Sequence, residues 1–363
     1  MTAIGQILFA RASAVAVRLE FYEWAYGRLA EHDVDMGVLG EFVTGLYVGG
    51  LDRPRREKGL FDLVADDGTT LEVKTSAGGE KLPGGGVRLR WGLIAEQKAV
   101  KGRVPIADKW VFLAVSFPKR AGRYFDVFDP RWWRVMVVPG LVIRRMDTGR
   151  HLSESRLKSE GYSPHPLTDL PKLVCSSRSP VAELARANTA QSLALLRLAF
   201  FRWAYGDLTE AFNGGRFAEY QVLRLVGKRP FAPRPWRGPV DVTARNGRTL
   251  QVKYSRSAVG TAGTKDSYRY KFGPRGAASP CDLFVLCRLV RPDLNPVPLA
   301  NWRFHCVPTD AIPAGATTVS DGRLARLGFP LLDASALAAT VLGTTAGERT
   351  PVIDPCGDSM VAR

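Results

Sequence analysis

The chain is poor in the residues and runs that would place it in several large classes. No apolar stretch approaches the roughly 20 residues of a spanning helix, and no basic amphipathic helix stands out. Of 363 residues only five are cysteine (Cys175, Cys281, Cys287, Cys306 and Cys356). Their odd number and the lack of any CxxC pair argue against a disulfide framework or a zinc site, and for a reducing, cytoplasmic setting. The four histidines (His32, His151, His165, His305) are scattered, which disfavours an HNH-type or zinc-protease centre. No GxxxxGK[ST] loop is present, so a nucleotide cofactor is not expected. The opening residues lack a cationic n-region and Arg11 interrupts their apolar run, so they read as a first helix rather than a signal peptide. Acidic residues are in deficit, 35 against 51 Lys plus Arg, for a net charge of +16. Such an excess points to a polyanion partner, because basic side chains neutralise phosphates and release counterions.

What the chain does have is an internal repeat, which changes the reading of everything else. Asp62, Gly68, Glu72, Lys74 and Ser76 recur in register as Asp241, Gly247, Gln251, Lys253 and Ser255, 179 residues on. The match extends outward. Phe21, Trp24, Tyr26 and Gly27 align with Phe200, Trp203, Tyr205 and Gly206, and Glu41 aligns with Glu219. Arg88, Arg90 and Trp91 align with Arg269, Lys271 and Phe272. Trp133 and Pro139 align with Trp302 and Pro308. The offset drifts to 167 as loops change length. Two copies of one domain therefore account for nearly the whole chain, residues 1–178 and 179–345. A loose tail follows over 346–363, and the polar stretch 175–180 is the expected boundary.

Within each copy the pattern predicts a helix, a hairpin, a third strand and a buried fourth strand. Glu41 stands in an apolar-periodic segment read as a helix. In the hairpin, Phe61, Leu63, Leu71 and Val73 are expected on one face and Asp62, Glu72 and Lys74 on the other. The continuous apolar runs Trp110–Val115 and Leu283–Leu286 suit central strands. The turn decides whether the acids meet. A two-residue loop would pair Asp62 with Val73 and turn the carboxylates to opposite faces. A three-residue loop over residues 66–68 pairs Asp62 with Glu72 and wants a left-handed residue at its end, where Gly68 stands. Residues 245–247 repeat the arrangement with Gly247. Three-residue loops are therefore expected in both copies.

Two carboxylates side by side on adjacent strands suit a hard divalent cation. A lysine two residues beyond the second acid reaches the same side, where it can meet developing phosphate charge or help activate water. This pattern resembles the PD-(D/E)xK nuclease superfamily, which includes many restriction endonucleases. The resemblance covers the helix glutamate, the hairpin and the third strand of both copies. It implies a fold of two tandem restriction-endonuclease-like α/β domains, each a mixed β-sheet flanked by helices, in a pseudo-twofold arrangement. By the same resemblance Asp62 and Glu72 are metal ligands, Lys74 the catalytic lysine and Glu41 the helix acid. Asp241, Gln251, Lys253 and Glu219 stand at the matching positions. Two departures matter. The motif's proline is Phe61 in one copy and Val240 in the other, and Gln251 replaces an acid with an amide, which lowers the expected metal affinity of copy two.

The bland alternative is an exposed hairpin with a solvated charged face. It does not explain why a repeat keeps its charges there. For Glu41 and Glu219 the alternative is an acid favouring the positive end of its helix. Ser76 and Ser255 are either phosphate contacts or plain strand-end serines. Arg88, Arg90, Arg269 and Lys271 share a face of the third strand and are read as phosphate contacts. The repeated tryptophans are read as core. The expectation is a Mg²⁺-dependent DNA endonuclease, Mn²⁺ substituting, that acts on duplex DNA through metal-activated water. It is expected to be a fused, monomeric pseudo-dimer with no membrane association, in restriction or defence by resemblance only. The alternatives are a single-site nicking enzyme, a non-catalytic DNA-binding protein with a degenerate second domain, and an RNA-directed nuclease.

Overall fold

The structure, a computed structural model, describes residues 12–27, 29, 34–52, 55, 61–77, 80–81, 87–92, 107–116, 127–146, 151–174, 190–208, 211–228, 240–255, 268–272, 280–290, 295–313 and 315–343. The expected tail and the expected boundary at 175–180 lie outside them. The helices are α1 (Ala12–Tyr26), α2 (Met36–Val48), α3 (Gly140–Arg145), α4 (Glu154–Ser159), α5 (Leu170–Val174), α6 (Ala190–Tyr205), α7 (Ala211–Val226), α8 (Asp321–Arg326) and α9 (Ala334–Leu342). The strands of the first copy are β1 (Leu63–Val64), β2 (Thr70–Ala77), β3 (Glu80–Lys81), β4 (Val87–Arg88), β5 (Arg90–Gly92), β6 (Lys109–Val115), β7 (Trp133–Pro139), β8 (His151–Ser153) and β9 (His165–Pro166). Those of the second are β10 (Val242–Thr243), β11 (Thr249–Ser255), β12 (Arg269–Lys271), β13 (Leu283–Leu289), β14 (Trp302–Pro308) and β15 (Thr318–Ser320).

Each copy builds a mixed sheet, in the order β1-β2-β6-β7-β9 in one and β10-β11-β13-β14 in the other. In both, the hairpin is antiparallel, its second strand runs parallel to the apolar strand, and the next pairing is antiparallel again. The apolar strands β6 and β13 are central, as their unbroken hydrophobic runs require: both faces of such a strand are covered. Each parallel pair is locked where it starts by the same side-chain clamp. Asp108 accepts from the backbone N–H (2.9 Å) and hydroxyl (2.7 Å) of Thr70, and Asp282 does the same for Thr249 at 2.7 and 2.8 Å. These hydrogen bonds hold both carboxyls below their usual range.

Both hairpins close with three-residue loops. Ala65 N–H donates to Thr69 O and Gly68 N–H to Ala65 O, each at 2.9 Å, and Gly68 has φ +87°. Ala244, Arg248 and Gly247 repeat this at 2.8 and 2.9 Å, with Gly247 at φ +88°. The ladder pairs Leu63 with Leu71 and Val64 with Thr70, which carries Asp62 opposite Glu72. Val242 pairs with Leu250, which carries Asp241 opposite Gln251.

The two faces of each sheet have different covers. α2 lies on the face of Thr75 and Leu113: a Cβ on Gly40 would strike the Thr75 hydroxyl and approach Leu113 Cδ1 to 3.1 Å. α2 is capped by Asp35, whose carboxylate accepts from Gly37 N–H at 2.8 Å, and is buried from Val38 to its end. The other face carries a core of Trp91, Trp110, Phe112, Met136, Val138 and Leu157. Tyr270, Phe272, Phe284, Leu286, Val307 and Leu324 form its counterpart.

Two features depart from the sequence expectation. Phe61 packs on the Trp91 and Trp110 side instead of pointing with Leu63, because it sits in the bend before β1, where strand alternation has not begun. The third strand is not a member of either main sheet. It breaks at Leu89: β4 pairs with β3, and β5 pairs with β8. β12 likewise pairs with β15. The cause is the residue that alternates with the charges. Trp91 and Tyr270 are fully buried, and the Trp91 indole N–H donates to Leu113 O at 2.8 Å, which draws the strand onto the sheet's face.

The compact units follow the repeat for the sheets but not for the opening helices. Among the described residues one unit lies within 26–206, the other within 12–25 and 207–343. The helix α6 that opens copy two therefore belongs to the unit of the first sheet, where Phe200 and Trp203 pack on Phe42 at 5.4 and 5.6 Å between ring centroids. Most of α1 belongs to the unit of the second sheet, where Phe21 meets Phe217 edge-on at 4.9 Å and Tyr220 at 5.6 Å. Trp24, Trp203, Trp133 and Trp302 are all buried, and the indoles of the last two donate to Val127 O and Pro296 O. They are core residues, which suits their recurrence.

Candidate active site

In the first unit the hairpin brings Asp62, Glu72 and Lys74 together. Successive residues of β2 point to opposite faces, so Glu72, Lys74 and Ser76 share the face away from α2. Lys74 Nζ stands 2.7 Å from Glu72 Oε1 and 4.0 Å from Asp62 Oδ2. Asp62 Oδ2 also accepts from Val73 N–H at 2.9 Å, which fixes the carboxylate against the strand. The three side chains are 10, 17 and 20% exposed for Asp62, Glu72 and Lys74, open enough to be reached and enclosed enough for charge to be weakly screened. The ammonium also lies 5.8 Å from the centre of the Trp110 ring.

The second unit repeats the frame with one change. Asp241 Oδ2 accepts from Val252 N–H at 2.8 Å, and Lys253 Nζ lies 3.8 Å away. Gln251 Nε2 donates to that same Asp241 oxygen at 2.6 Å. The amide thus replaces a carboxylate and becomes a donor to the remaining acid.

The helix glutamates are buried, Glu41 at 5% and Glu219 at 8% exposure. Neither occupies the first turn of its helix: α2 begins at Met36 and α7 at Ala211. Attraction to the helix N-terminus therefore does not account for them. Glu41 is held in a two-pronged pair by Arg55, Nε to Oε2 at 2.9 Å and Nη2 to Oε1 at 3.0 Å. The hydrogen bond to Glu41 raises the Arg55 pKa against the opposing effect of burial, and the charges of Asp35 and Asp62 add to the rise. One guanidinium therefore sits in the field of both the helix acid and the hairpin acid. Near Glu219 and Asp241, the Cys287 thiol is pushed well above its ordinary range by burial first and by those two carboxylates second. It stays a neutral thiol.

Among the described residues no group of three or more His, Cys, Asp or Glu side chains is disposed to hold a metal ion. The two facing carboxylates of Asp62 and Glu72 nonetheless fit a hard cation, with the Lys74 ammonium already bridging them. Glu41, spanned by Arg55, is not gathered with them as a third ligand.

The basic residues divide. Arg90, Arg269 and Lys271 are exposed on β5 and β12, and those strands pack against β2 and β11. Arg88 falls in β4, and its side chain lies outside the described residues. Ser76 and Ser255 are buried at 8 and 5% exposure.

Sequence reasoning missed three features. Arg55 has a counterpart in the sequence of the second copy, Arg234, seven residues before Asp241 as Arg55 is seven before Asp62, but that recurrence was not used, and Arg234 lies outside the described residues. The clamp of Asp108 on Thr70 and Asp282 on Thr249 was visible as two recurring residue types, but it joins positions 38 and 33 apart. The third is a half-buried network in the second unit. Asp321 accepts from the Tyr270 hydroxyl at 2.9 Å and lies 3.2 Å from His305 Nε2 and 3.0 Å from Arg288 Nε. Arg288 also stacks over Tyr268 at 4.2 Å. Burial raises the Asp321 pKa, but the hydrogen bonds from His305 and Tyr270 and the Arg288 charge outweigh it and hold the carboxyl low. The strand registers correct the sequence alignment of the third strand by two residues, setting Arg90 with Arg269 and Trp91 with Tyr270, and by these registers the first copy has Trp91, Ala114, Met136 and Glu154 at the places of the network. The network is thus particular to one copy, which a search for recurrence passes over.

No protein-family model matches the chain, and no curated protein matches it. Among the described residues no helix is long and apolar enough to cross a membrane.

Proposed function

We propose that the chain is a metal-dependent nuclease whose hydrolytic site is Asp62, Glu72 and Lys74. The observation that carries this reading is the hairpin register that sets Asp62 opposite Glu72, with Lys74 Nζ 2.7 and 4.0 Å from their oxygens. That register is the one the sequence's resemblance to the PD-(D/E)xK superfamily implies, and it supports the reading. Asp62 and Glu72 would hold a hard divalent cation, Mg²⁺ or Mn²⁺ in its place, which supplies Lewis acidity to a phosphate and lowers the pKa of water. Lys74 offers a positive charge to the phosphate oxygens as negative charge develops on them. Val73 N–H fixes the Asp62 carboxylate, so the acid is oriented before substrate arrives. Arg90, Arg269 and Lys271 are exposed beside the two hairpins and suit phosphate contacts, and the net charge of +16 supports a nucleic-acid partner. Duplex DNA is the proposed substrate, in restriction or defence by resemblance.

The test is cleavage of supercoiled plasmid and phage genomic DNA in Mg²⁺, with wild type beside Lys74→Ala. Wild type should cut, and the variant should fall by about 10²–10³, the usual cost of removing one transition-state charge partner. Failure of both to cut any DNA would turn the reading to a DNA-binding protein. A second reading, nicking by one site, is favoured by the amide at Gln251. Nicked circles as the sole product would select it over double-strand cutting.

A further inference from the structure

The two units carry the same frame with one atom exchanged, and each serves as the control for the other. In the first, two carboxylates face one ammonium, so Asp62, Glu72 and Lys74 together carry a charge of minus one. In the second, Asp241 alone faces Lys253, and the local charge is zero. A divalent cation would leave the first trio at plus one and the second at plus two. Cation affinity in oxygen sites follows the number of charged ligands.

Geometry points the same way. Gln251 Nε2 sits 2.6 Å from Asp241 Oδ2, on the oxygen that Val252 N–H already engages at 2.8 Å. A donor bonded to an ionised acceptor forms the stronger, charge-assisted kind of hydrogen bond. The amide nitrogen thus takes the bridging place between the two cross-strand side chains that a cation would hold between Asp62 and Glu72. Admitting a cation to the second unit requires breaking this bond and turning the amide to present its oxygen, a neutral ligand.

We infer that each chain binds a single catalytic-type cation, in the first unit, and that Gln251 closes the second site by supplying internally the bridge a cation would make. The inference rests on the proposed nuclease reading and adds an asymmetry to it: one unit hydrolyses, while the other is a permanently closed copy of the site. The frame around Asp241 is then retained because the Asp–amide and Asp–backbone bonds hold the hairpin register.

The experiment is Mn²⁺ binding to the full chain, read by the loss of the free-ion paramagnetic resonance signal, with no nucleic acid and no turnover involved. Wild type should bind one Mn²⁺, Asp62→Asn should lose it, and Asp241→Asn should leave the stoichiometry unchanged. Gln251→Glu, nearly isosteric, should raise it from one to two. Two ions in wild type, one of them lost in Asp241→Asn, would overturn the inference and leave the nuclease reading standing. A Gln251→Glu stoichiometry that stays at one would overturn the role given to the amide. No Mn²⁺ bound by wild type would overturn the metal-dependent reading, and this inference with it.

Discussion

Phe200→Ala tests the exchange of opening helices, which is the least intuitive feature of the fold. Phe200 is in the sequence of the second copy, yet its ring is fully buried against Phe42 at 5.4 Å, with Phe201 at 5.2 Å and Tyr205 at 6.3 Å. Truncating a buried Phe to Ala costs about 3–5 kcal/mol from lost transfer energy and the cavity left behind. Since about 1.4 kcal/mol is a factor of ten, the unit that holds this ring should lose roughly a hundredfold or more in amide protection. The assay is hydrogen exchange resolved by peptide. Peptides covering α2 (36–48) and β6 (109–115) should exchange faster, while those covering α7 (211–226) and β13 (283–289) keep their rates. Phe21→Ala is the mirror: its buried ring meets Phe217 at 4.9 Å, so protection should fall in 211–226 and hold in 36–48. If Phe200→Ala instead loosens α7 and β13, or loosens both units alike, the division of the chain into these units is refuted.

The remaining predictions concern single groups. Asp321 has its pKa depressed on folding, so its stabilising contribution is complete above the unfolded value of about 3.9 and lost as pH falls through the lower folded value. Acid unfolding followed below about pH 4 should therefore be less steep for Asp321→Asn in the second unit, and an unchanged acid limb would contradict the network. Arg55→Met should destabilise by about 1–3 kcal/mol because it leaves the buried Glu41 carboxylate without its two-pronged partner, and adding Glu41→Gln should recover part of that loss in denaturant titrations. Gly68→Ala and Gly247→Ala should each cost about 1–2 kcal/mol from the left-handed backbone alone, since nothing lies within 4 Å of the added Cβ; a much larger loss of thermal stability in either would mean the loop is tighter than described.

Much of the site was legible in the sequence because its logic is local. The register of Asp62 against Glu72 follows from loop length and from a glycine that can take φ near +87°. The central places of β6 and β13 follow from unbroken apolar runs. The weakening of the second site is written in one letter, Gln251. Other parts needed the fold. The third strand alternates charge and aromatic as a sheet strand would, but the burial of Trp91 and Tyr270 moved it onto the sheet's face. The Arg55 grip on Glu41 joins residues 14 apart, one inside α2 and one beyond its end, and the recurrence of an arginine at 55 and 234 marks the position without naming its partner. The direction of the Gln251 amide, a donor to Asp241, depends on which atoms the hairpin places within reach.

The sequence by itself determined the repeat, the hairpin geometry, the trio on one face of each hairpin and the basic charge of the whole, because these depend on alternation, turn chemistry and composition within short stretches. Only the tertiary structure decided which opening helix joins which sheet, because equivalent helices carry equivalent apolar faces: Phe21 and Phe200 are interchangeable as letters, and the packing partner is chosen by where the chain can reach.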